Sequence, residues 1–342
     1  MLNFRKNVFL YFFIFKTIVF SYNSAVTSKV YKDEKRNRIF YTKIYYPTLA
    51  VSGNEVLIND NEIFIGNKFL KDAPIASEKF PILFIIHGSG GNNSSFNYLA
   101  TDLTSKGIII VATNYLSDDE SIQPPETISI KPWTQNIDTS FLIDQILKEK
   151  KLINNISEDF IGILGYSKGG YSALALIGGK LDYNKYINFY KNNKKNLENV
   201  FGSYTLKDKE NFENSYMDSR ISFVISIDPI FSHSFIDESL TNIKIPILLV
   251  SSESFIPENN EIDLNINEIN QKVNEKYITF KVIKDSGHFS FLPLYKKEAL
   301  KILENTEDKI ICIDGKRTRE EIHKEFASDI AEFLYKNNIL KK

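Results

Sequence analysis

The chain has 342 residues, of which 43% are hydrophobic and 25% charged, so it can bury a large core as one α/β domain or two smaller ones. A net charge of −1 with both signs interspersed leaves no basic face for nucleic acid. The single cysteine, Cys312, excludes an intramolecular disulfide framework and a cysteine cluster for zinc.

The N-terminus reads as a leader. Arg5 and Lys6 precede an almost wholly apolar run from Val8 to Phe20, and Ser21-Tyr22-Asn23-Ser24-Ala25 is small and polar enough to be cut near Ala25. The run is shorter than the ~20 residues that a membrane helix needs. Residues 1–25 are therefore expected to be a signal peptide and 26–342 an exported domain, periplasmic or secreted, with no membrane span left after processing.

From Tyr31 onward the pattern alternates strand and helix, which predicts a mostly parallel sheet covered by helices on both faces. Strands are expected over Ile39–Tyr46, ended by Pro47, over Glu62–Phe69, and over Pro81–Ile86, whose unbroken apolar run suits a strand buried on both sides. A helix over Ser95–Lys106, closed by Gly107, leads to a strand over Ile108–Ala112 and a helix over Ile137–Leu147. Further strands are expected over Phe160–Leu164, Ser222–Ile227, Ile245–Val250 and Tyr277–Ile283. A helix over Thr318–Tyr335 closes the chain, with Ile322, Phe326, Ile330 and Leu334 at four-residue spacing. Residues 180–220, rich in Asn, Lys and Tyr, interrupt the alternation and read as a cap or lid insertion within one domain.

Chemistry concentrates at Gly165-Tyr166-Ser167-Lys168-Gly169-Gly170, directly after the strand Phe160–Leu164. The pattern is that of a nucleophile elbow, in which a sharp strand-to-helix turn holds a serine at the end of a sheet. A bare Gly-Ser turn would share the pattern, but not the buried strand before it and the small-residue helix after it. His87-Gly88-Ser89-Gly90-Gly91 follows another buried strand and can aim backbone N–H groups at a developing oxyanion. The expected donors are the N–H groups of Ser89 and Lys168. The loop lacks the spacing of a P-loop or dinucleotide site, and His87 reads as structural.

A serine nucleophile needs a base, and such elbows run in the order serine, acid, histidine. Of four histidines, His288 in Asp285-Ser286-Gly287-His288-Phe289 follows a strand after a short turn and is the expected base. His233 follows a strand end too closely, and His323 reads as a partly exposed helix residue. The acid must orient the imidazole from a strand end. Asp228, before Pro229, is preferred, with Glu253 in Ser251-Ser252-Glu253-Ser254 as the alternative. Tyr166, Trp133 and Phe289 are near enough in sequence to line an apolar pocket. No metal or organic cofactor is required.

These residues resemble the α/β-hydrolase superfamily, and within it the branch of plasma-type platelet-activating factor acetylhydrolases and predicted dienelactone hydrolases. The likeness is carried by Arg36-Asn37-Arg38, Tyr45-Tyr46-Pro47, His87-Gly88-Ser89-Gly90-Gly91, Asp138-Thr139-Ser140-Phe141 and Asp144-Gln145-Ile146-Leu147. It continues through the elbow, Ile227-Asp228-Pro229, Ser252-Glu253-Ser254-Phe255 and Gly287-His288-Phe289-Ser290-Phe291. The resemblance implies an α/β-hydrolase fold with a small cap and places the acid at Asp228; many superfamily members carry it after the next strand, where Glu253 stands. Dienelactone hydrolases proper use cysteine where this chain has Ser167. Lys168 departs from the apolar or aromatic residue often found after the nucleophile; it could favour acidic substrates or simply point to solvent. The implied activity is hydrolysis of carboxylic esters, short-acyl or phospholipid-like, through an acyl-enzyme. An acyltransferase, another non-hydrolytic member of the fold and a non-catalytic binding protein are the alternatives.

Overall fold

The computed structural model describes residues 21–115, 131–150, 152–191, 204–254 and 264–341. The apolar leader run Val8–Phe20 and residues 192–203 of the expected cap lie outside the described residues.

Ten strands form one sheet in the order β10-β9-β8-β7-β5-β6-β2-β1-β4-β3. The six from β10 to β6 are all parallel: β5 (Phe80–Ile86), β6 (Ile109–Thr113), β7 (Ile156–Tyr166), β8 (Ile221–Ile227), β9 (Ile247–Ser254) and β10 (Ile278–Gly287). The rest, β1 (Asn23–Asp33), β2 (Arg38–Thr48), β3 (Glu55–Ile58) and β4 (Asn67–Lys71), join mainly by antiparallel pairing. Every residue of β5 and β6 is buried, as strands covered on both faces must be.

Helices supply the cover. α1 (Asn97–Ser105) and the C-terminal helix Arg319–Lys336 bury Leu99, Leu103, Ile322, Phe326, Ile330 and Leu334 against one face. α2 (Pro132–Ile146) and α3 (Lys168–Ala175) bury Leu142, Ile143, Ile146, Tyr171 and Leu174 against the other. The C-terminal helix starts in a capping box, Thr318 Oγ1 accepting from the Glu321 N–H while Glu321 accepts from the Thr318 N–H.

Several elements depart from the sequence reading. The run Glu62–Phe69 is not one strand: Asn61 Oδ1 accepts the Ile63 and Phe64 N–H groups, and Asp60 Oδ1 accepts that of Gly66. Side-chain acceptors thus take the donors a ladder would use. Pairing resumes at Asn67, and Phe64 makes only an isolated bridge with Tyr295. α2 begins at Pro132 rather than Ile137, with proline in the first turn where its missing N–H costs nothing. β1 starts at Asn23, so Ala25, the expected cleavage position, is a fully buried strand residue paired with Tyr46 and Leu70.

In the stretch 180–220 the described parts include helical residues 183–191 and a short helix Lys209–Glu213. Tyr183, Tyr186, Tyr204 and Phe212 pack there edge-on or tilted against one another, and the last three also contact Phe231 beyond β8. A second anchor ties the first hairpin to α2. The Arg38 guanidinium grips the fully buried Asp138 carboxylate with Nε at 2.9 Å and Nη2 at 2.6 Å, and Arg36 Nη1 adds a third bond at 2.6 Å.

Candidate active site

The carboxyl ends of β7 and β8 and the turn after β10 converge on one point. At the end of β7 the chain turns so sharply into α3 that Ser167 takes φ 57°, ψ −114°. That conformation strains any residue with a Cβ. Its N–H donates to Ile227 O at 2.8 Å, and its carbonyl accepts from Tyr171 and Ile230, so the surrounding backbone holds the strained turn from both ends. The flanking glycines make the approach possible. A Cβ on Gly165 would lie 1.9 Å from Gly169 O, and one on Gly169 would lie 2.0 Å from Ile86 O.

His288 follows β10 directly, and its imidazole bridges the two other functional residues. Nδ1 lies 3.0 Å from Asp228 Oδ2, and Nε2 lies 3.2 Å from Ser167 Oγ. These partners assign the tautomer: Nδ1–H donates to the carboxylate, and Nε2 accepts from the serine hydroxyl. All three residues are buried, Asp228 completely. Asp228 makes a last backbone bond to β9, its N–H donating to Val250 O at 2.9 Å, and at φ 42° the chain then turns away with its carboxylate buried.

Glu253, the alternative acid, stands elsewhere. Its carboxylate accepts from Lys284 Nζ at 2.9 Å and from the Asp285 N–H at 2.9 Å at an exposed position. Lys284 and that N–H hold its carboxyl below the usual range. Strand alternation explains the difference: residues 252 and 253 leave β9 on opposite sides, and 252 is the one beside Asp228.

The expected oxyanion donors sit on the turns after β5 and β7. Lys168 is the first residue of α3, where N–H groups emerge at the positive end of the helix dipole. Ser89 lies in the exposed part of the turn after β5. The His87 loop is braced from beneath. His87 Nδ1–H donates to Gly88 O at 2.8 Å, Nε2 accepts from the Tyr115 N–H at 3.3 Å, and Gln135 Nε2 donates to His87 O at 3.2 Å. Burial, with the Lys168 charge adding to it, lowers the His87 pKa to about 4, so this ring is neutral and structural. The Lys168 side chain is itself buried, which lowers its ammonium pKa to about 8.

The three expected pocket residues have different settings. Tyr166 is buried beneath His288: its ring stacks on the imidazole at 4.8 Å and 25°, and its hydroxyl donates to His288 O at 2.8 Å. Trp133 is buried against Tyr204, with Lys131 Nζ 5.3 Å from its ring centre. Phe289 is partly exposed and meets His288 edge-on at 5.2 Å, where it can border a substrate.

The other histidines have separate settings. His233 stacks on Phe189 and faces Glu268 at 3.7 Å. His323, expected to be partly exposed, is buried: it stacks on Tyr98 at 3.8 Å, and Nε2–H donates to Ser290 O and Leu292 O. Two cavities among the described residues, about 570 Å3 beside β1, β4 and α1 and about 640 Å3 at the base of β8, include none of Ser167, Asp228 or His288. The residue that sequence reasoning did not single out is Ser252, whose N–H and hydroxyl both reach Asp228 at 2.7 Å.

No protein-family model and no curated protein matches the chain. Among solved structures, it is similar to a ferulic acid esterase from Streptomyces cinnamoneus, with a TM-score of 0.61 and 14% identity over 94% of this chain and 91% of that one. It also matches the 2,6-dihydroxy-pseudo-oxynicotine hydrolase, with a TM-score of 0.43 and 13% identity over 86% and 71% of the two chains. The parallel block, the helices on both faces and the likeness to the esterase define an α/β-hydrolase fold.

Proposed function

We propose that this chain is a serine hydrolase of carboxylic esters. The observation that carries the reading is the His288 bridge, 3.2 Å from Ser167 Oγ on one side and 3.0 Å from Asp228 on the other. In this reading Ser167 Oγ attacks the ester carbonyl while His288 Nε2 takes its proton. Asp228 holds the ring in the required tautomer and stabilises the imidazolium. The N–H groups of Lys168 and Ser89 receive the oxyanion, a contribution of about 10²–10³ in turnover for each such donor. His288 then protonates the leaving alcohol, and water activated by the same ring clears the acyl group from Ser167.

The substrate class in this proposal is a small ester with a short acyl chain or a phospholipid-like body, in line with the acetylhydrolase resemblance. A feruloyl ester belongs in the same panel because a ferulic acid esterase shares the fold over nearly the full length of both chains. Export is also proposed, from the apolar run Val8–Phe20. Cleavage ahead of Asn23 would leave β1 whole, whereas cleavage after Ala25 would remove three of its residues.

Ser167→Ala is expected to abolish turnover of p-nitrophenyl acetate and labelling by a fluorophosphonate, with the circular dichroism spectrum unchanged. Undiminished turnover in that variant would overturn the reading.

A further inference from the structure

Asp228 is gripped by both donors of a single neighbouring residue. The last paired position between β8 and β9 is Ile227 opposite Val250. Asp228 still donates its N–H to Val250 O at 2.9 Å, but at φ 42° the chain turns there, and the Ser252 N–H goes to the Asp228 side chain in place of a β8 carbonyl. The Asp228 carboxylate takes the place of that carbonyl: the Ser252 N–H donates to Oδ1 at 2.7 Å and the Ser252 hydroxyl lies 2.7 Å from Oδ2. The same Oδ2 accepts the Nδ1–H of His288 at 3.0 Å.

The hydroxyl carries one proton and has two acceptors in reach, Asp228 Oδ2 at 2.7 Å and Ser254 O at 2.9 Å. A carboxylate is the stronger acceptor, and the shorter contact goes to it. Ser252 is 7% exposed and Asp228 is fully buried, so water does not substitute for these donors.

We infer that Ser252 is a positioning residue of the proton relay, which fixes the plane of the Asp228 carboxylate and sets its basicity toward His288. The inference rests on the ester-hydrolase reading. The two Ser252 donors, one on each carboxylate oxygen, hold the carboxylate in the orientation that offers Oδ2 to Nδ1. By drawing electron density from Oδ2, the hydroxyl also limits how tightly the imidazolium is held once formed. Among the described residues, the imidazole faces Asp228 from β8, Ser167 from the elbow, the Tyr166 ring beneath it and Phe289 beside it, while the Lys168 charge, one residue after Ser167, acts on His87.

The test compares kcat, KM and the pH profile of kcat/KM for the full chain and its Ser252 variants with p-nitrophenyl acetate. S252A keeps the backbone donor and loses the hydroxyl, and is expected to lower kcat roughly 10- to 100-fold with KM little changed. Its acid limb should move to higher pH, since a carboxylate with one donor fewer is more basic and holds the His288 proton longer. S252T, which keeps the hydroxyl, should restore both kcat and the limb. S252C, close in shape and weaker as a donor, should fall between them and serves as the readout if S252A does not fold. Wild-type kcat and an unmoved limb in folded S252A, or an S252T as impaired as S252A, would overturn the inference. Fluorophosphonate labelling of the unmodified protein is read separately: absence of label defeats the ester-hydrolase reading, whereas label together with an unaffected S252A defeats only the role of Ser252.

Discussion

Asp228 and Glu253 both end parallel strands, and both were candidates for orienting His288. They differ in what surrounds them. Asp228 is fully buried with its carboxylate divided between Ser252 and His288, whereas Glu253 is exposed and held by Lys284 and the Asp285 N–H. Asp228→Asn is therefore expected to lower kcat by about 10³–10⁴ while preserving the fold, because an amide at that place stabilises the wrong tautomer. Glu253→Gln should leave kcat within about twofold, and steady-state kinetics on the two variants would expose any exchange of roles. At this scale much of the cluster was legible in the sequence: Ser167, Asp228 and His288 each sit where a strand run breaks into a turn. Ser252 was not, because a serine near a strand end has the same local signature whether it faces water or a buried carboxylate. The contacts of Tyr166 were hidden for a related reason, since nothing in the sequence shows that its hydroxyl bonds His288 O.

Elements impose tighter tolerances than single side chains. The turn from β7 into α3 brings Gly169 against the end of β5, where a Cβ would stand 2.0 Å from Ile86 O and 2.7 Å from its carbon. Backbone in the middle of a sheet cannot step aside, so Gly169→Ala is expected to cost at least the ~1–3 kcal/mol typical of overpacking. A thermal melt should show a midpoint lowered by several degrees, or little folded protein recovered. Gly53→Ala is the matched control: its added Cβ meets only Leu70 Cδ2 at an ordinary 3.8 Å, and its melt should be unchanged. The parallel strands and the helices α1, α3 and Arg319–Lys336 were readable because their burial is one-sided or total and so leaves a period in the sequence. β1 and β3 were not. β1 buries one apolar pair, Ala25-Val26, and leaves its other apolar residues, Val30 and Tyr31, exposed or half-buried among polar ones, and β3 alternates only between exposed and half-buried residues. α2 hid its start because its buried face includes Gln135, Asn136, Asp138 and Thr139, polar residues that pair with each other and with distant partners.

Over the whole molecule, two buried histidines tie stability to pH. Burial lowers the pKa of His87 to about 4 and that of His323 to about 3, from an ordinary 6.5. In the unfolded chain both would take up a proton as the pH drops through 6.5, while in the folded protein they stay neutral until far lower. Their contribution to stability is therefore full above pH 6.5, declines below it, and levels off only at the folded values. At pH 5.5 the loss is about 1.4 kcal/mol for each ring. The melting midpoint should fall between pH 7 and pH 5.5, and His323→Gln, which cannot be protonated, should flatten the fall; an identical slope in that variant would show that His323 does not contribute.

The relay draws its members from far apart along the chain, with Ser167 and His288 separated by 121 positions and His288 hung from β10, the outermost strand of the parallel block. A polypeptide emerging from the ribosome thus displays its nucleophile, elbow and oxyanion turns long before it owns a base to activate them. In the ester-hydrolase reading, a nascent or prematurely terminated chain that ends before residue 288 lacks the base that would activate Ser167. In this reading, the protein acquires its reactivity only near the end of its own synthesis.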